Sequence, residues 1–225
     1  MDMRMSPDKL ALMIDHTNLH ADASKFDINK LCDEAKVYNF NYVCVNPTNV
    51  ELAFQNLSGS RIGVCSVIGF PLGAVTTKDK ICEASEAVSA GATELDMVMN
   101  IGQLKSGRRE LVKQDIQGVV GAAEGRTVKV ILETAILTLE EKVEACLISR
   151  EAGAGFVKTS TGFGGLEGAT VEDVKLLRKT VGKDMGVKAS GGIRDLKQAF
   201  KFINAGANRI GTSSGVQIME EYILK

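Results

Sequence analysis

The stretch AGAGFVKTSTGF at residues 152–163 contains the pattern on which the fold assignment depends. It begins with a small-residue break, Ala-Gly-Ala, and continues with a short apolar run that ends in Lys158 and a turn holding Gly162. Glycine in such a break can adopt the left-handed conformation that ends a helix, so the chain can turn at once into a strand. The stretch is therefore typical of a helix-to-strand connection followed by a loop.

The same Ala-Gly-Ala break recurs at residues 90–92 and 205–207, each time after a helical pattern and before an apolar run. Eight apolar runs occur along the chain. Most are rich in Val and Ile without strict polar alternation, as in parallel strands that are covered on both faces. The candidate strands are residues 11–14, 42–45, 61–68, 94–99, 128–133, 156–159, 187–189 and 209–211.

Segments of helical period separate the apolar runs. Residues 142–150 follow a capping box at residues 138–141, and residues 171–181 place their apolar side chains on one stripe that stops at a glycine. Residues 195–204 show the same period, with Asp195 as the expected N-cap. Strands and helices therefore alternate along most of the sequence.

This alternation predicts an α/β protein, a single TIM (β/α)8 barrel domain over residues 1–225. Eight strand–helix units in 225 residues leave roughly 28 residues for each unit, which suits a compact barrel with few insertions. A doubly wound open sheet is the alternative. It would need fewer strands and a clear switch point, and no GxGxxG motif supports it, because the nearest candidate, which starts at Gly162, has Glu167 in place of the last glycine.

The composition limits the classes of partner. Lys plus Arg total 27 and Asp plus Glu total 28, which gives a formal net charge of −1 and predicts no nucleic-acid or membrane partner. Five scattered cysteines without a CxxC pair indicate free thiols in a reducing compartment. The first ten residues, MDMRMSPDKL, lack the apolar segment of a signal peptide, so we expect a cytoplasmic protein.

Two lysines are the most unusual residues of the predicted strands. Lys158 and Lys188 end strands six and seven, so their backbones should lie about 4.8 Å apart at similar heights. Two ammonium groups in one pocket favour a neutral amine on one of them, and a neutral amine can form a Schiff base with a carbonyl. The alternative is that each lysine forms a structural salt bridge with Asp96 or Glu133.

Other polar residues in and near the predicted strands have different expected roles. Asp96 is the candidate for proton transfer, since an inward carboxylate would lie opposite the two lysines. Lys129 begins its strand, which predicts a place on the stability face of the barrel and no part in the site. His16 is expected to be a hydrogen-bonded structural residue on one loop with His20, and no metal site is predicted.

Glycine-bearing turns follow the last three strands. They lie at residues 161–165, 191–192 and 211–215, and the third contains Ser213 and Ser214. TIM barrels often bind phosphate at this place through backbone N–H groups and a helix N-terminus. The turns therefore indicate a phosphorylated substrate, although tight turns that need glycine only for their shape would look the same.

Six motifs, in order along nearly the whole chain, resemble those of the deoxyribose-phosphate aldolase family. They are IDHTNL at residues 14–19, VCVNP at 43–47, ELDMVMNIG at 94–102, FVKTSTGF at 156–163, VKASGGIR at 187–194 and GTSSG at 211–215. The resemblance implies a TIM barrel and a class I aldolase that needs no metal or other cofactor. The implied reaction, in deoxynucleoside catabolism, is the reversible cleavage of 2-deoxy-D-ribose 5-phosphate to acetaldehyde and D-glyceraldehyde 3-phosphate.

The resemblance also implies a role for each matching residue. Lys158 would form the Schiff base, Lys188 would be the second lysine that perturbs it, and Asp96 would act in proton relay with water. The residues implied in phosphate binding are Gly162, Gly191, Gly192, Ser213 and Ser214, and those implied in lining the pocket are Asp15, Thr17, Cys44 and Thr161. Cys44 is not expected to be a nucleophile, because no histidine stands out as its activating partner.

The sequence departs from the family pattern at two points. His20 and Ala21 stand where a Lys-Pro pair often follows the first motif, and Tyr222 falls in the expected last helix and not in a flexible tail. The expected ligands are a phosphorylated sugar and acetaldehyde, and a homo-oligomer, dimer or tetramer, is expected. Two alternatives remain: a Schiff-base barrel such as a transaldolase acting on another phosphorylated sugar, and a non-catalytic barrel that binds sugar phosphates.

Overall fold

A computed structural model describes residues 5–224, and the first four residues and the last one lie outside this range. Within it, eight parallel strands close into a barrel in sequence order, with β1 paired to both β2 and β8. The strands are β1 (Ile14–Asn18), β2 (Tyr42–Val45), β3 (Gly63–Ile68), β4 (Glu94–Val98), β5 (Thr127–Ile131), β6 (Phe156–Lys158), β7 (Gly186–Ser190) and β8 (Arg209–Thr212). The predicted TIM barrel is confirmed, and the open sheet is excluded.

Helices precede β1, connect the successive strands and follow β8. They are α1 (Pro7–Ala11), α2 (Lys25–Tyr38), α3 (Val50–Asn56), α4 (Thr77–Ser89), α5 (Ile101–Lys105), α6 (Arg109–Ala122), α7 (Leu139–Glu151), α8 (Val171–Val181), α9 (Leu196–Ala205) and α10 (Gly215–Ile223). Among residues 5–224, no helix combines the length and the apolar character that a membrane span requires.

The predicted helix signals operate as expected. Thr138 caps α7 with a complete capping box, and the Asp195 side chain accepts a 2.7 Å hydrogen bond from the backbone N–H of Gln198 at the start of α9. The glycines of the three Ala-Gly-Ala breaks have positive φ angles, of 106° at Gly91, 88° at Gly153 and 113° at Gly206. Each break therefore ends a helix in the left-handed region that glycine adopts without strain.

The first strand begins later in the chain than the sequence predicts. Residues 11–14 were expected to form it, but the Ser6 side chain caps a helix that begins at Pro7 and ends at Ala11, so the strand starts at Ile14. Serine followed by proline is a helix-start signal, and it takes precedence over the short apolar run that follows. As a result Asp15 and Thr17 lie within β1 and not beyond its end.

Side chains that point into the barrel form three layers of four, contributed by alternate strands as in other TIM barrels. By the strand register, the lower layer contains Tyr42, Glu94, Phe156 and Arg209; the middle layer contains Asp15, Cys65, Lys129 and Lys188; and the upper layer contains Cys44, Asp96, Lys158 and Gly211. The outward side chains, such as Val64, Leu95 and Val157, are buried against the helices. The apolar core therefore surrounds the barrel, while its interior is largely polar.

Two glycines make room for the aromatic rings of the lower layer. A Cβ atom at Gly186 would overlap the Phe156 ring, and one at Gly63 would overlap the Tyr42 ring. Neither glycine has a positive φ angle, so space alone requires glycine at these positions. Strand β7 therefore begins with a residue that lets the ring beside it fill the bottom of the barrel.

Gly186→Ala should lower the free energy of unfolding by about 1–3 kcal/mol, because the added methyl group forces the Phe156 ring out of its place. Gly121→Ala is the matched control: it lies in α6 with nothing within 4 Å of the added atom. It should raise stability by up to about 1 kcal/mol through helix propensity. Urea unfolding of both variants checks this, and equal effects of the two substitutions would contradict it.

Candidate active site

Lys158 and Lys188 meet at one carboxylate. They are register partners on β6 and β7, as expected from the sequence. Their Nζ atoms donate to the same oxygen, Oδ2 of Asp96, at 2.9 Å and 2.8 Å. All three side chains are buried. Asp96 on β4 therefore pairs with both lysines, while Glu133, the other suggested partner, does not contact them in the described part of the chain.

The second oxygen of Asp96 accepts a hydrogen bond from Lys129, at 2.8 Å. Lys129 Nζ also lies 2.7 Å from a Glu94 carboxylate oxygen and 4.0 Å from one of Asp15. The expectation that Lys129 takes no part in the site was wrong, because the β4–β5 register sets it directly beside Asp96. Lys129 stands two positions before Ile131 on the same strand, so the two side chains share one face of it. This spacing was the sequence signal that could have identified Lys129 as an inward residue.

A further ion pair joins the network to the bottom of the barrel. Asp15 lies 2.5 Å from Lys188 Nζ through one oxygen and 2.9 Å from Arg209 through the other. The Arg209 guanidinium also lies 3.6 Å from Glu94 and 4.7 Å from the centre of the Tyr42 ring. The positive charge of the guanidinium is attracted to the face of this ring. Sequence reasoning missed Arg209 and Glu94, because both begin their strands.

Burial and pairing act against each other on these groups. Burial opposes the charge of Asp96, but Lys129, Lys158 and Lys188 outweigh it and hold the pKa of this carboxyl well below its usual value. Burial likewise opposes the charge of Lys188, but Asp15 and Asp96 keep the pKa of its ammonium above the ordinary value. The pKa of Lys129 is raised well above its usual value, against burial, first by Asp96. These three groups therefore stay ionised at neutral pH.

The charges inside the barrel do not balance. Within residues 5–224, the layers contain three carboxylates and four basic side chains: Asp15, Glu94 and Asp96, and Lys129, Lys158, Lys188 and Arg209. With every group ionised, one positive charge is in excess, and a buried excess charge is costly. Loss of one proton from one basic side chain would make the network neutral.

A cavity of about 340 Å³ opens above the upper layer at the carboxyl ends of the strands. Its lining residues are Thr17, Leu19, His20, Lys158, Thr161, Gly162, Phe163, Ser190, Gly191, Gly192, Ile193, Arg194, Gly211, Thr212 and Ser213. Of the four basic side chains in the described barrel interior, Lys158 is the one that reaches the cavity. Lys188 and Asp96 lie beneath its floor.

Most of the pocket residues predicted from the sequence line this cavity, and three do not. Asp15 and Cys44 are fully buried beneath it, because they belong to the middle and upper layers of the barrel interior. Ser214 lies outside the lining at the N-cap position of α10, where its backbone N–H donates to Thr212 Oγ1 at 2.9 Å. Asp15, Cys44 and Ser214 therefore do not line the cavity, whereas His20 and Arg194 line it although the sequence did not predict them there.

The glycine turns around the cavity need glycine for their shape. Gly162, Gly191 and Gly192 have φ angles of 81°, 89° and 74°. A Cβ atom on Gly191 would also lie 2.9 Å from the Cα atom of Gly168, in the loop that crosses it. These turns leave backbone groups facing the cavity, close to the start of α10, as a phosphate site requires.

Glu133 holds the loop after β6 in place. It was expected at the end of strand five, but it follows β5 with a φ of 56°, in the left-handed region. Its carboxylate accepts hydrogen bonds from the backbone N–H of Thr161, at 3.2 Å, and from the Thr161 hydroxyl. The Thr161 oxygen in turn accepts from the Phe163 N–H at 3.1 Å. The buried carboxylate thus positions two lining residues of the cavity.

The histidines and the last tyrosine have different surroundings. His16 Nε2 lies 2.8 Å from Glu34, and its buried ring packs 5.0 Å from that of Phe40, so its structural role is confirmed. His16 belongs to β1 and not to a loop with His20. Tyr222 lies in α10 as predicted, and its hydroxyl donates to the Met5 carbonyl.

Cys44, Cys65 and Asp96 bring possible metal-ligand atoms within 4.8 Å of one another. Lys129 Nζ, however, lies 3.5 Å from the Cys65 sulfur and 2.8 Å from Asp96. A positive charge at that distance opposes a cation, and Lys158 and Lys188 add to it. The donor set therefore does not suit a metal ion, and that no metal is needed stays a prediction.

A closed parallel barrel with buried lysines beneath a cavity at the carboxyl ends of its strands has the arrangement of a TIM-barrel enzyme. The chain belongs to the DeoC/LacD family of aldolases, whose family model matches residues 9–221. It is 66% identical over 213 residues to the deoxyribose-phosphate aldolase of Methanothermobacter thermautotrophicus, covering 95% of each chain. The corresponding enzyme of Carboxydothermus hydrogenoformans is 60% identical over 220 residues, 96% of each chain.

A solved structure agrees with these matches. The tetrameric deoxyribose-phosphate aldolase of Aeropyrum pernix superposes with a TM-score of 0.90 at 38% identity, covering 97% of this chain and 92% of that one. The family resemblance of the six sequence motifs is confirmed. The protein is therefore an aldolase.

Asp96→Asn should lower the free energy of unfolding at pH 7 by about 3–5 kcal/mol, because three buried ammonium groups lose their shared carboxylate. The Asp96 contribution is present above its unfolded pKa, near 3.8, and disappears as pH falls through its lower folded pKa. Between about pH 5 and about pH 3, the wild-type protein should therefore lose stability more steeply than the variant.

Urea unfolding across this pH range measures both effects. Asp184→Asn, at an exposed carboxylate, is the matched control and should leave the slope nearly as in the wild type. Identical slopes for wild type and Asp96→Asn would show that the buried carboxyl does not carry the depressed pKa.

Proposed function

We propose that the protein cleaves 2-deoxy-D-ribose 5-phosphate reversibly to acetaldehyde and D-glyceraldehyde 3-phosphate through a Schiff base on Lys158. The observation that carries the proposal is that Lys158 alone among the basic side chains of the described barrel interior reaches the cavity. Relatives that are 66% and 60% identical to this chain are named deoxyribose-phosphate aldolase. The excess positive charge beneath the cavity favours the neutral form of one amine, and Lys158 is the one positioned to react.

The first steps use the neutral amine of Lys158. It attacks the C1 aldehyde carbon of the open-chain sugar, and loss of water leaves an iminium ion. Removal of the C3 hydroxyl proton turns C3 into a carbonyl, and the C2–C3 bond breaks. Its electron pair moves into the enamine between C2, C1 and the lysine nitrogen. Glyceraldehyde 3-phosphate leaves, C2 takes up a proton, and water hydrolyses the iminium to release acetaldehyde.

Lys188 and Asp96 would assist these proton transfers without touching the cavity. Lys188 stays an ammonium group and so discourages a second positive charge on Lys158. Asp96 accepts hydrogen bonds from both amines, and its depressed pKa makes it a poor place to store a proton. We propose that Asp96 holds the two lysines side by side, so that Lys158 is aligned to exchange protons with a water in the cavity.

The phosphate group would bind at the glycine turns. Gly162, Gly191, Gly192 and Ser213 line the cavity, and Ser214 stands at the N-cap of α10, whose N-terminus is the favourable end for an anion. Arg194 adds a positive side chain to the same wall. Thr17 and Thr161 complete the proposed pocket near Lys158.

The proposal extends to the whole chain, its assembly and its location. The 1–225 chain is proposed to act as one aldolase domain without a cofactor, although residues 1–4 and 225 lie outside the described range. The tetramer formed by the Aeropyrum pernix relative supports a homo-oligomer, a dimer or tetramer. The five unpaired cysteines suit the expected cytoplasmic location. Freedom from nucleic-acid and membrane partners stays a prediction.

Incubation with acetaldehyde followed by borohydride reduction should attach a two-carbon group to Lys158, which peptide mass spectrometry locates. Lys158→Met should abolish both the adduct and turnover. Lys142→Met, which removes a lysine outside the barrel interior that pairs with Asp173, is the control and should retain both. An adduct on another lysine, or none on the wild-type protein, would overturn the assignment of Lys158.

Ser213→Ala should raise KM for 2-deoxyribose 5-phosphate roughly ten-fold, because a hydrogen bond to a charged group is lost. The borohydride adduct with acetaldehyde, which has no phosphate, should form as in the wild type. An exposed serine in a surface turn, Ser106→Ala, is the control. The assay follows acetaldehyde release by a coupled alcohol dehydrogenase, and release of a different product would favour another Schiff-base barrel enzyme.

A further inference from the structure

We infer that Arg209 and Glu94, in the lower layer of the barrel, are positioning residues that set the pH at which the acid limb of activity falls. This inference rests on the proposed role of Lys158. Neither residue lines the cavity, so neither can contact a substrate bound there. Their influence is electrostatic and is carried by the charged groups that lie between the lower layer and the cavity.

An unbroken chain of ion pairs leads from Arg209 to Lys158. Arg209 lies 2.9 Å from Asp15, and Asp15 lies 2.5 Å from Lys188. Lys188 and Lys158 then share one oxygen of Asp96, at 2.8 Å and 2.9 Å. All of these groups are buried except for part of the Arg209 side chain, which is 14% exposed. Solvent therefore screens the charges only weakly.

Glu94 acts on the same network from the opposite side. It lies 3.6 Å from Arg209 and 2.7 Å from Lys129, and Lys129 contacts the other oxygen of Asp96 at 2.8 Å. Glu94 is thus the negative partner of the two basic groups that do not reach Lys158 directly. Its removal would leave the network with two excess positive charges and not one.

Charged or titratable side chains from several strands of the barrel surround Arg209 and Glu94. The charged or titratable neighbours of the pair are Asp15 on β1, Tyr42 on β2, Cys65 on β3, Lys129 on β5 and Lys188 on β7. Cys44 and Asp96 are the further titratable groups close to Lys158. Burial raises the pKa of Cys65 and Tyr42, so both stay neutral, whereas a hydrogen bond with Cys65 lowers the pKa of the Cys44 thiol.

The sign of each effect follows from this excess. Loss of the Arg209 charge leaves equal numbers of carboxylates and basic groups, so no positive excess remains to be relieved by loss of a proton, and the acid limb of kcat/KM should move to higher pH. Loss of the Glu94 charge increases the positive excess, so the limb should move to lower pH. The proposed turnover needs a neutral amine, so the acid limb is the part of the pH profile that reports this charge balance.

The test compares the acid limb of kcat/KM in Arg209→Met and Glu94→Gln. Arg209→Met should move the limb to higher pH and Glu94→Gln to lower pH, each by roughly one pH unit for charges about two layers apart. The double variant should return close to the wild-type position. Arg209→Lys, which keeps the charge, should also stay near it. A loss of packing alone would not move the limb in opposite directions.

A buried ion pair elsewhere provides the control for destabilisation. Lys80 lies 2.5 Å from Asp115 between α4 and α6, fully buried and outside the barrel interior. Lys80→Met should reduce stability without moving the acid limb. If Arg209→Met does not fold, the shift in Glu94→Gln decides the matter. An unmoved limb in folded Glu94→Gln, or a shift of both variants in the same direction, would overturn the inference.

The borohydride adduct separates this inference from the proposed function. Each variant is incubated with acetaldehyde and reduced across the same pH range, and the adduct at Lys158 is quantified by mass spectrometry. If the wild type forms the adduct at Lys158 and the limbs do not move, the inference about Arg209 and Glu94 fails alone. If the wild type forms no adduct at Lys158, the proposed function fails first.

Discussion

The structure depends on one buried carboxylate that serves three lysines. Asp96 gives one oxygen to Lys158 and Lys188 and the other to Lys129, and these side chains come from four different strands. An isolated charge at this depth would be unstable, so none of the four could be buried there without the others. The polar interior of the barrel is therefore one cooperative unit, and in the proposed function the charge imbalance that it retains is what activates an amine.

The elements that the sequence predicted correctly are those with strong local signals. The capping box before α7, the N-cap of α9 and the three glycine breaks fix helix ends through contacts within a few residues. Lys158, Lys188 and Asp96 stood out because a charged side chain in an apolar strand has few explanations. Such signals are local, so a single sequence contains them.

The errors concern relations between strands. The position of Lys129 along β5 predicted no part in the site. Its partners, however, come from β1 and β4, and only the register shows that they meet. Asp15 and Cys44 were expected in the pocket because their motifs match the family, yet both are buried beneath the cavity, Asp15 in the middle layer and Cys44 in the upper layer. Depth within a barrel depends on the stagger of all eight strands, which no single motif encodes.

Gly211 shows how closely the two halves of the site are joined. It occupies a position in the upper layer where a Cβ atom would lie 2.9 Å from Cε of Lys188 and 3.1 Å from Cβ of Ser190. The turn that leads to Ser213 and α10 begins just after this residue. Enlarging this one residue by a methyl group would press on the buried ammonium and on the turn proposed to bind an anion, so the two parts of the pocket cannot be redesigned independently from β8.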